Sequence, residues 1–406
     1  MNHSIKRYCI AFVLFVGLNS NTLSRSFAQN PDLNQGAALQ TDYYAVIPYS
    51  VIKGKVIVDV MLQGRKRKFI WDTGAPVSLS DTLSKELGLV TLAKINVADQ
   101  SGAKDSVRIV KVPEISIGEV TFVGVPALVL RETEMIFGCF GVDGIIGSNL
   151  LRNSVVQFDS RNKQIILTSE AKRLSLRKKN ALPMQLTPVQ SNPFIKILLK
   201  KGKEAVADNI LLDSGADGFY EMSMGAYKYF AGRAPVIEVV AEGYGSYAGG
   251  LHGISAEQQN YTLAIPELVL GKMTFTHTQA TTTYSDESRI GSELFDYGKV
   301  TMNYKDKLFY FESYDDVGSR DVSRKLWPVQ PVIAKDKIVV GIVWDKTLAK
   351  QVTAGDEILS FGDTDYTKMS FCERVTSEQD SGKDVAELKL KDATTGAEKT
   401  ITIQRK

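Results

Sequence analysis

Two short runs carry residues able to do chemistry: Asp72-Thr73-Gly74-Ala75 and Asp213-Ser214-Gly215-Ala216, with the two aspartates 141 positions apart (213 − 72). Each follows an apolar, strand-like segment, Phe69-Ile70-Trp71 in the first case and Asn209-Ile210-Leu211-Leu212 in the second. One Asp-Thr/Ser-Gly is common by chance; two copies inside two copies of a longer pattern are not. Two carboxylates brought face to face cannot both ionise comfortably and share one proton. The charged member can take a proton from water while the protonated member polarises a carbonyl, which is what hydrolysis of an amide by water requires. Because the pair titrates jointly, the sequence does not say which of Asp72 and Asp213 is the acid and which the base. Gly74 and Gly215 allow a tight turn after each aspartate and leave backbone N–H groups free to bond the carboxylates.

The elements that must position these residues are duplicated. Ile146-Gly147-Ser148 recurs as Ile290-Gly291-Ser292 at an offset of 144, and the halves then run in step, Val156 with Val300 and Lys163 with Lys307. Upstream, Pro113-Glu114-Ile115 with Gly118 and Phe122 recurs as Pro266-Glu267-Leu268 with Gly271 and Phe275, at an offset of 153. Residues gained and lost between these anchors belong in loops, since a one-residue slip would turn a strand's wrong face inward. Each copy reads as mostly strand: Val56–Val60, Phe69–Trp71 and Phe194–Leu198 are rich in β-branched residues, Gly64 and Gly202 mark hairpin turns, and Asp81–Leu87 forms one short helix. The bland alternative is a pair of tandem all-β domains without chemistry.

Residues 41–313 resemble retropepsin-type aspartic protease lobes, fused in one chain as in the two-lobed pepsins. The resemblance rests on the two Asp-Thr/Ser-Gly-Ala runs and on the apolar-apolar-Gly segments Ile145-Ile146-Gly147 and Arg289-Ile290-Gly291, where Arg289 replaces an apolar residue. It implies a mainly β fold of two β-barrel lobes, 41–168 and 191–313, joined by a basic linker at 169–190. It implies Asp72 and Asp213 as the catalytic pair, with Thr73 and Ser214 reaching across to lock the two loops together. Ala75 and Ala216 stand where pepsins usually carry Ser or Thr; without that extra donor each carboxylate loses a bond that favours ionisation, and the working range is expected to be less acidic than a pepsin's. A cover over the pair is expected in the Gly-rich run 242–250, with Tyr244, Gly245 and Tyr247 at its tip; an ordinary flexible loop is the alternative. The matching run of the first copy, Asp99 to Ala103, is shorter.

After Phe311 the repeat ends, and Pro328 and Pro331 mark a linker. Residues 331–406 resemble a small α/β bacterial PDZ domain, most specifically in Gly355-Asp356-Glu357-Ile358-Leu359. Such domains bind extended peptides, often C-termini, by adding a strand to an open edge. The edge expected here is Val339, Val340, Gly341 and Ile342, with intramolecular docking and plain scaffolding as alternatives.

Composition bounds the rest. A chain of 406 residues with 44% hydrophobic and 23% charged residues is globular and long enough for two or three domains. A net charge of +3 is too small to argue for nucleic acid as a partner; polypeptide substrates are the expected ones. The basic runs 65–68 and 172–179 read as solvated, at a hairpin tip and in the interlobe linker; a processing site or an anionic-surface contact is the alternative at 172–179. Lys6 and Arg7, the short apolar run Cys9–Leu18 and Ser26-Phe27-Ala28 read as a cleavable signal peptide over 1–28, hence an exported protein, periplasmic or secreted, with no integral membrane segment after its removal. That leaves Cys139 and Cys372 in different domains, where a disulfide is possible but separate thiols are favoured. Three histidines and no His/Cys cluster argue against a metal, and no cofactor is expected. Three functional readings follow: an aspartic endopeptidase, a catalytically inactive peptide-binding protein that keeps the fold, and a dormant enzyme whose cleft is covered by 172–179 or 29–45 until cleaved.

Overall fold

The computed structural model describes residues 14–15, 32–99, 104–131, 134–233, 235–247, 249–250, 253–377 and 383–406. The expected signal segment lies outside the described residues apart from Leu14 and Phe15, as do residues 100–103 of the matching run in the first copy. The chain is mainly β. Among the described residues no helix is long and apolar enough to cross a membrane.

The first set of strands begins with Tyr44–Ile52, whose alternation buries Ala45 and Ile47 and leaves Tyr44 and Val46 exposed. Lys55–Leu62 and Arg65–Trp71 form a hairpin through Gln63 and Gly64, both at positive φ (47° and 74°), the two-residue turn that matches strand twist. The basic run 65–68 therefore sits in the strand just beyond the tip, not in the tip itself. Its cations are mostly exposed and paired: Arg65 reaches Glu86 at 2.7 Å and Lys66 reaches Asp59 at 2.6 Å. The helix forms at Asp81–Glu86, capped by the Ser80 hydroxyl, which accepts from the Leu83 amide at 3.1 Å. Thr91–Asp99, Lys104–Ile117 and Val120–Leu130 complete an antiparallel series.

Gly144–Ile146 then slots in parallel to Arg65–Trp71, placing Ile146 beside Trp71. In residues 182–313 the same arrangement recurs: Pro193–Lys201 and Glu204–Leu212 form a hairpin, and Arg289–Ile290 lies parallel to the second of them. The two sets meet where Val155–Asp159 pairs antiparallel with Gly298–Asn303. Behind this seam Trp71 meets Phe158 edge-on at 6.1 Å and Phe158 stacks on Phe295 at 4.3 Å.

Several segments expected as linker or cover are built into the sheets. Ala37–Ala38 pairs with Val120–Leu130, and Leu33 is buried, so this stretch is part of the first unit. Leu182–Leu186 pairs with Pro193–Lys201 and with Leu308–Ser313, which shortens the expected linker at its C-terminal end. Ser319–Asp321 adds a parallel strand beside Met273–Thr283. The C-terminal sheet starts at Val329, before Pro331, and Trp327 already belongs to it, packed edge-on against Phe361 at 4.9 Å.

That sheet runs in the order Val329–Ala334, Lys337–Val343, Glu357–Phe361, Val385–Lys391, Glu398–Gln404, with a helix at Phe371–Thr376. A continuous buried cluster joins Ile70, Phe137, Phe140 and Ile145 of the first unit to Ile338, Val340, Val375 and Leu388 of the last. The same contact carries a disulfide between Cys139 and Cys372, which corrects the expectation of separate thiols. The expectation assumed that residues far apart in sequence lie far apart in space. A shared apolar core brings the two cysteines together across a separation of 233 residues.

Candidate active site

Asp72 leaves the end of the strand Arg65–Trp71, and Asp213 leaves the end of Glu204–Leu212. Each is pinned by the neighbouring parallel strand: the Asp72 amide donates to the Ile146 carbonyl and the Asp213 amide to the Ile290 carbonyl, both at 2.9 Å. Gly147 and Gly291 then pass so close to the aspartate loops that no side chain fits. A Cβ on Gly147 would lie 2.2 Å from the Pro76 carbonyl carbon, and one on Gly291 2.3 Å from the Gly218 oxygen. The apolar-apolar-Gly pattern therefore reads as a close approach of backbones.

Thr73 and Ser214 lock the loops reciprocally. The Thr73 amide donates to the Ser214 hydroxyl and the Ser214 amide to the Thr73 hydroxyl, each at 3.0 Å. Each hydroxyl donates onward to the opposite strand, Thr73 to the Leu212 carbonyl at 2.6 Å and Ser214 to the Trp71 carbonyl at 3.0 Å. Four buried polar groups of each kind are thereby satisfied at the centre of the molecule. Gly74 and Gly215 allow the loops to close on one another: a Cβ on Gly74 would sit 2.7 Å from Asp213 Oδ1, and one on Gly215 2.3 Å from Asp72 Oδ2. The sequence pointed to these glycines for their turns; the crossing contact is an additional reason.

Both carboxyls are 1% exposed. The Gly74 amide donates to Asp72 Oδ1 at 2.8 Å, whereas Asp213 Oδ1 accepts from two amides, Gly215 at 3.0 Å and Ala216 at 3.2 Å. Burial lifts Asp72 well above the usual carboxylate range, and the charge of Asp213 lifts it further. Burial also lifts Asp213, to about 6, against the opposing charges of Arg289 and Lys55. Ala75 and Ala216 are buried in the same loops.

Two cations beside the pair were not picked out from sequence as site residues. Lys55 is fully buried; its Nζ donates to the Gly215 carbonyl and lies 3.9 Å from Asp217. In sequence it is a lysine following a glycine turn, indistinguishable from a solvated hairpin residue. Arg289 Nη1 stands 3.6 Å from Asp213 Oδ2, and its Nε donates to Glu221 at 2.6 Å. Its replacement of an apolar residue was the available signal. Supporting bonds come from Ser148, whose hydroxyl donates to the Thr73 carbonyl at 2.7 Å, and from Asn192, whose amide donates to the Gly74 carbonyl at 2.8 Å.

The residues expected to form a cover are docked on the C-terminal sheet. Glu238–Gly245 pairs with Gln258–Leu270, and its tip packs against the C-terminal sheet. The Ser246 amide donates to the Gly341 carbonyl at 3.1 Å, and a Cβ on Gly245 would lie 1.9 Å from that same oxygen. Tyr244 is exposed, and the Tyr247 amide donates to the Ser255 hydroxyl at 3.2 Å. The expected open edge at Val339–Ile342 is corrected by the same contact. Val339 pairs with Val332 on one side and Glu357 on the other, Val340 lies opposite Pro331, Ile342 lies opposite Gln330, and Gly341 is covered by Ser246. The strand is internal because the second-unit hairpin occupies the stretch that Glu357–Phe361 leaves uncovered. A cavity of about 680 Å³ lies beside this junction, lined by Val239, Val240, Trp327 and Trp344, not by the aspartates. The carboxylate pair marks the chemistry more specifically than a cavity does.

Residues 58–150 match the family model described as aspartyl protease. That match supports an aspartic protease. The matched span holds the Asp72 loop, Ile146 and Gly147, while the residues that meet this loop from the second half lie outside it. No curated protein matches the chain. Among solved structures, a retropepsin-like aspartic protease from Rickettsia conorii is similar at 18% identity, over 33% of this chain and 95% of its own, with a TM-score of 0.25.

Proposed function

We propose that the protein is an exported aspartic endopeptidase built from two retropepsin-like lobes in one chain, with a C-terminal PDZ-like module that bears on access to the cleft. The observation that carries this reading is the reciprocal Thr73–Ser214 lock, which holds two buried carboxylates across glycines too close for any side chain. In the reaction, water sits between Asp72 and Asp213. The ionised carboxylate removes a proton as the water oxygen attacks the scissile carbonyl, and the protonated carboxyl donates to the carbonyl oxygen. The tetrahedral diol then collapses: the first carboxyl returns its proton to the departing nitrogen, the second regains one from the diol, and the C–N bond breaks. Burial raises both groups, so one proton is retained to higher pH than between two ordinary solvated carboxylates. The substrate class is an extended polypeptide.

A second reading, a restrained enzyme, is favoured by the docking of residues 243–246 on Gly341 and by the Cys139–Cys372 bridge. In it the C-terminal module holds the cover hairpin and the first lobe together and limits entry of substrate. Turnover of a peptide library by the wild type but not by Asp72→Asn or Asp213→Asn tests the enzyme. Binding of peptides without cleavage, unchanged in both variants, would leave the inactive peptide-binding protein. Turnover that rises when the bridge is reduced would support restraint.

A further inference from the structure

Arg289 breaks the symmetry of the site. It occupies the strand Arg289–Ile290, opposite Glu221 and beside Leu211. The corresponding residue of the first unit is Ile145, opposite Ser78 and beside Ile70. A charged cross-strand pair has thus replaced an apolar and a hydroxyl residue on one side only. Both members are buried, Arg289 at 3% and Glu221 at 4% exposure, where an ion pair persists only with further partners. Arg289 has them: besides Glu221, its Nη2 donates to the Thr283 hydroxyl at 3.5 Å and its Nη1 faces Asp213. Asp213 Oδ2 is buried, and the guanidinium 3.6 Å away is its counter-charge.

We infer that Arg289 is a positioning residue that makes Asp213 the ionised member of the pair and leaves the shared proton on Asp72. The amide count points the same way, two donors to Asp213 against one to Asp72. The other charged groups facing the pair do not reverse the bias. Lys55 acts on both aspartates and is partly offset by Asp217, while Glu221 and Glu287 draw on part of the Arg289 charge. In the proposed hydrolysis, on which this inference rests, Asp213 is then the base and Asp72 the acid in the first step.

The test reads protonation without requiring turnover. A small phenoxypropane epoxide alkylates a carboxylate: the Asp213 oxygen bonds to the terminal epoxide carbon, the C–O bond of the ring opens, and the alkoxide takes the Asp72 proton. Peptide mapping by mass spectrometry of the full chain labelled at pH 5 to 6 should find the ester on Asp213. In Arg289→Leu/Glu221→Leu, which removes both charges, selectivity for Asp213 should fall to the remainder left by the amide donors, and the pH dependence of labelling should move up by about one unit. Arg289→Lys, which keeps a cation, should retain Asp213 labelling and also serves if the double variant fails to fold. Wild-type labelling on Asp72, on both residues equally or on neither overturns the inference, as does unchanged selectivity in the folded double variant. A protein that hydrolyses no peptide yet labels on Asp213 would sink the proposed function and leave this assignment standing.

Discussion

Replacing Asp213 with asparagine should abolish turnover and make the folded chain more stable at neutral pH. The magnitude follows from the site. Burial lifts the carboxyl from 3.8 to about 6, so keeping it ionised in the folded chain costs about 3 kcal/mol above pH 7, at about 1.4 kcal/mol per unit. The sign runs opposite to that of a salt-bridged aspartate. Below pH 3.8 the group is protonated in folded and unfolded chains alike, and the variant gains nothing. Between 3.8 and about 6 the unfolded chain gives up the proton first, so the wild type loses stability as pH rises; above that the difference is constant. Urea titration of wild type and Asp213→Asn should show the variant more stable by up to about 3 kcal/mol at pH 7.5 and by about 1 kcal/mol at pH 4.5. Peptidase kcat/KM should fall by at least about a thousandfold. A variant less stable than wild type at pH 7.5, or a gain independent of pH, would refute the claim that desolvation dominates this carboxyl.

Thr73→Val keeps the shape of the loop but leaves the Ser214 amide without its acceptor and the Leu212 carbonyl without its donor; a loss of about 2–4 kcal/mol is expected in chemical denaturation, with kcat falling more than KM rises. Gly147→Ala must push a Cβ into the Pro76 backbone, and it should lower the thermal midpoint even though Gly147 carries no reacting group. Cys372→Ser opens a loop spanning a separation of 233 residues; the chain-entropy account sets a ceiling of about 5.5 kcal/mol on the stability lost. Non-reducing peptide mapping should recover the Cys139–Cys372 peptide from the wild type, and denaturation of the variant should show the C-terminal sheet melting earlier.

The aspartates, their hydroxyl neighbours and the supporting glycines were legible because each is a short run anchored to an apolar strand, and the run occurs twice. Lys55 was not, because burial of a lysine is decided by what lies across from it, here the Gly215 carbonyl in the other half of the chain. Arg289 stood out as a substitution, but its partner Glu221 emerges only from strand register, which no spacing in the chain announces. The hairpin at Glu238–Gly245 was visible as Gly-rich and aromatic. Its docking on Gly341 was not, since that contact depends on how two sheets formed from distant segments meet. The bridge between Cys139 and Cys372 was possible but not favoured in the sequence for the same reason. Local pattern fixes which residues form strands; it is silent on which strands of distant segments become neighbours.

The strand pair joining Val155–Asp159 to Gly298–Asn303 has one more consequence. Because both halves belong to one polypeptide and share that ladder, each is permanently present at a high effective concentration around the other. Specific activity should therefore be independent of dilution, and peptides mimicking the seam should not inhibit. Covalent linkage also frees the halves from being identical, so one can acquire a cation that a symmetric dimer would be forced to carry twice.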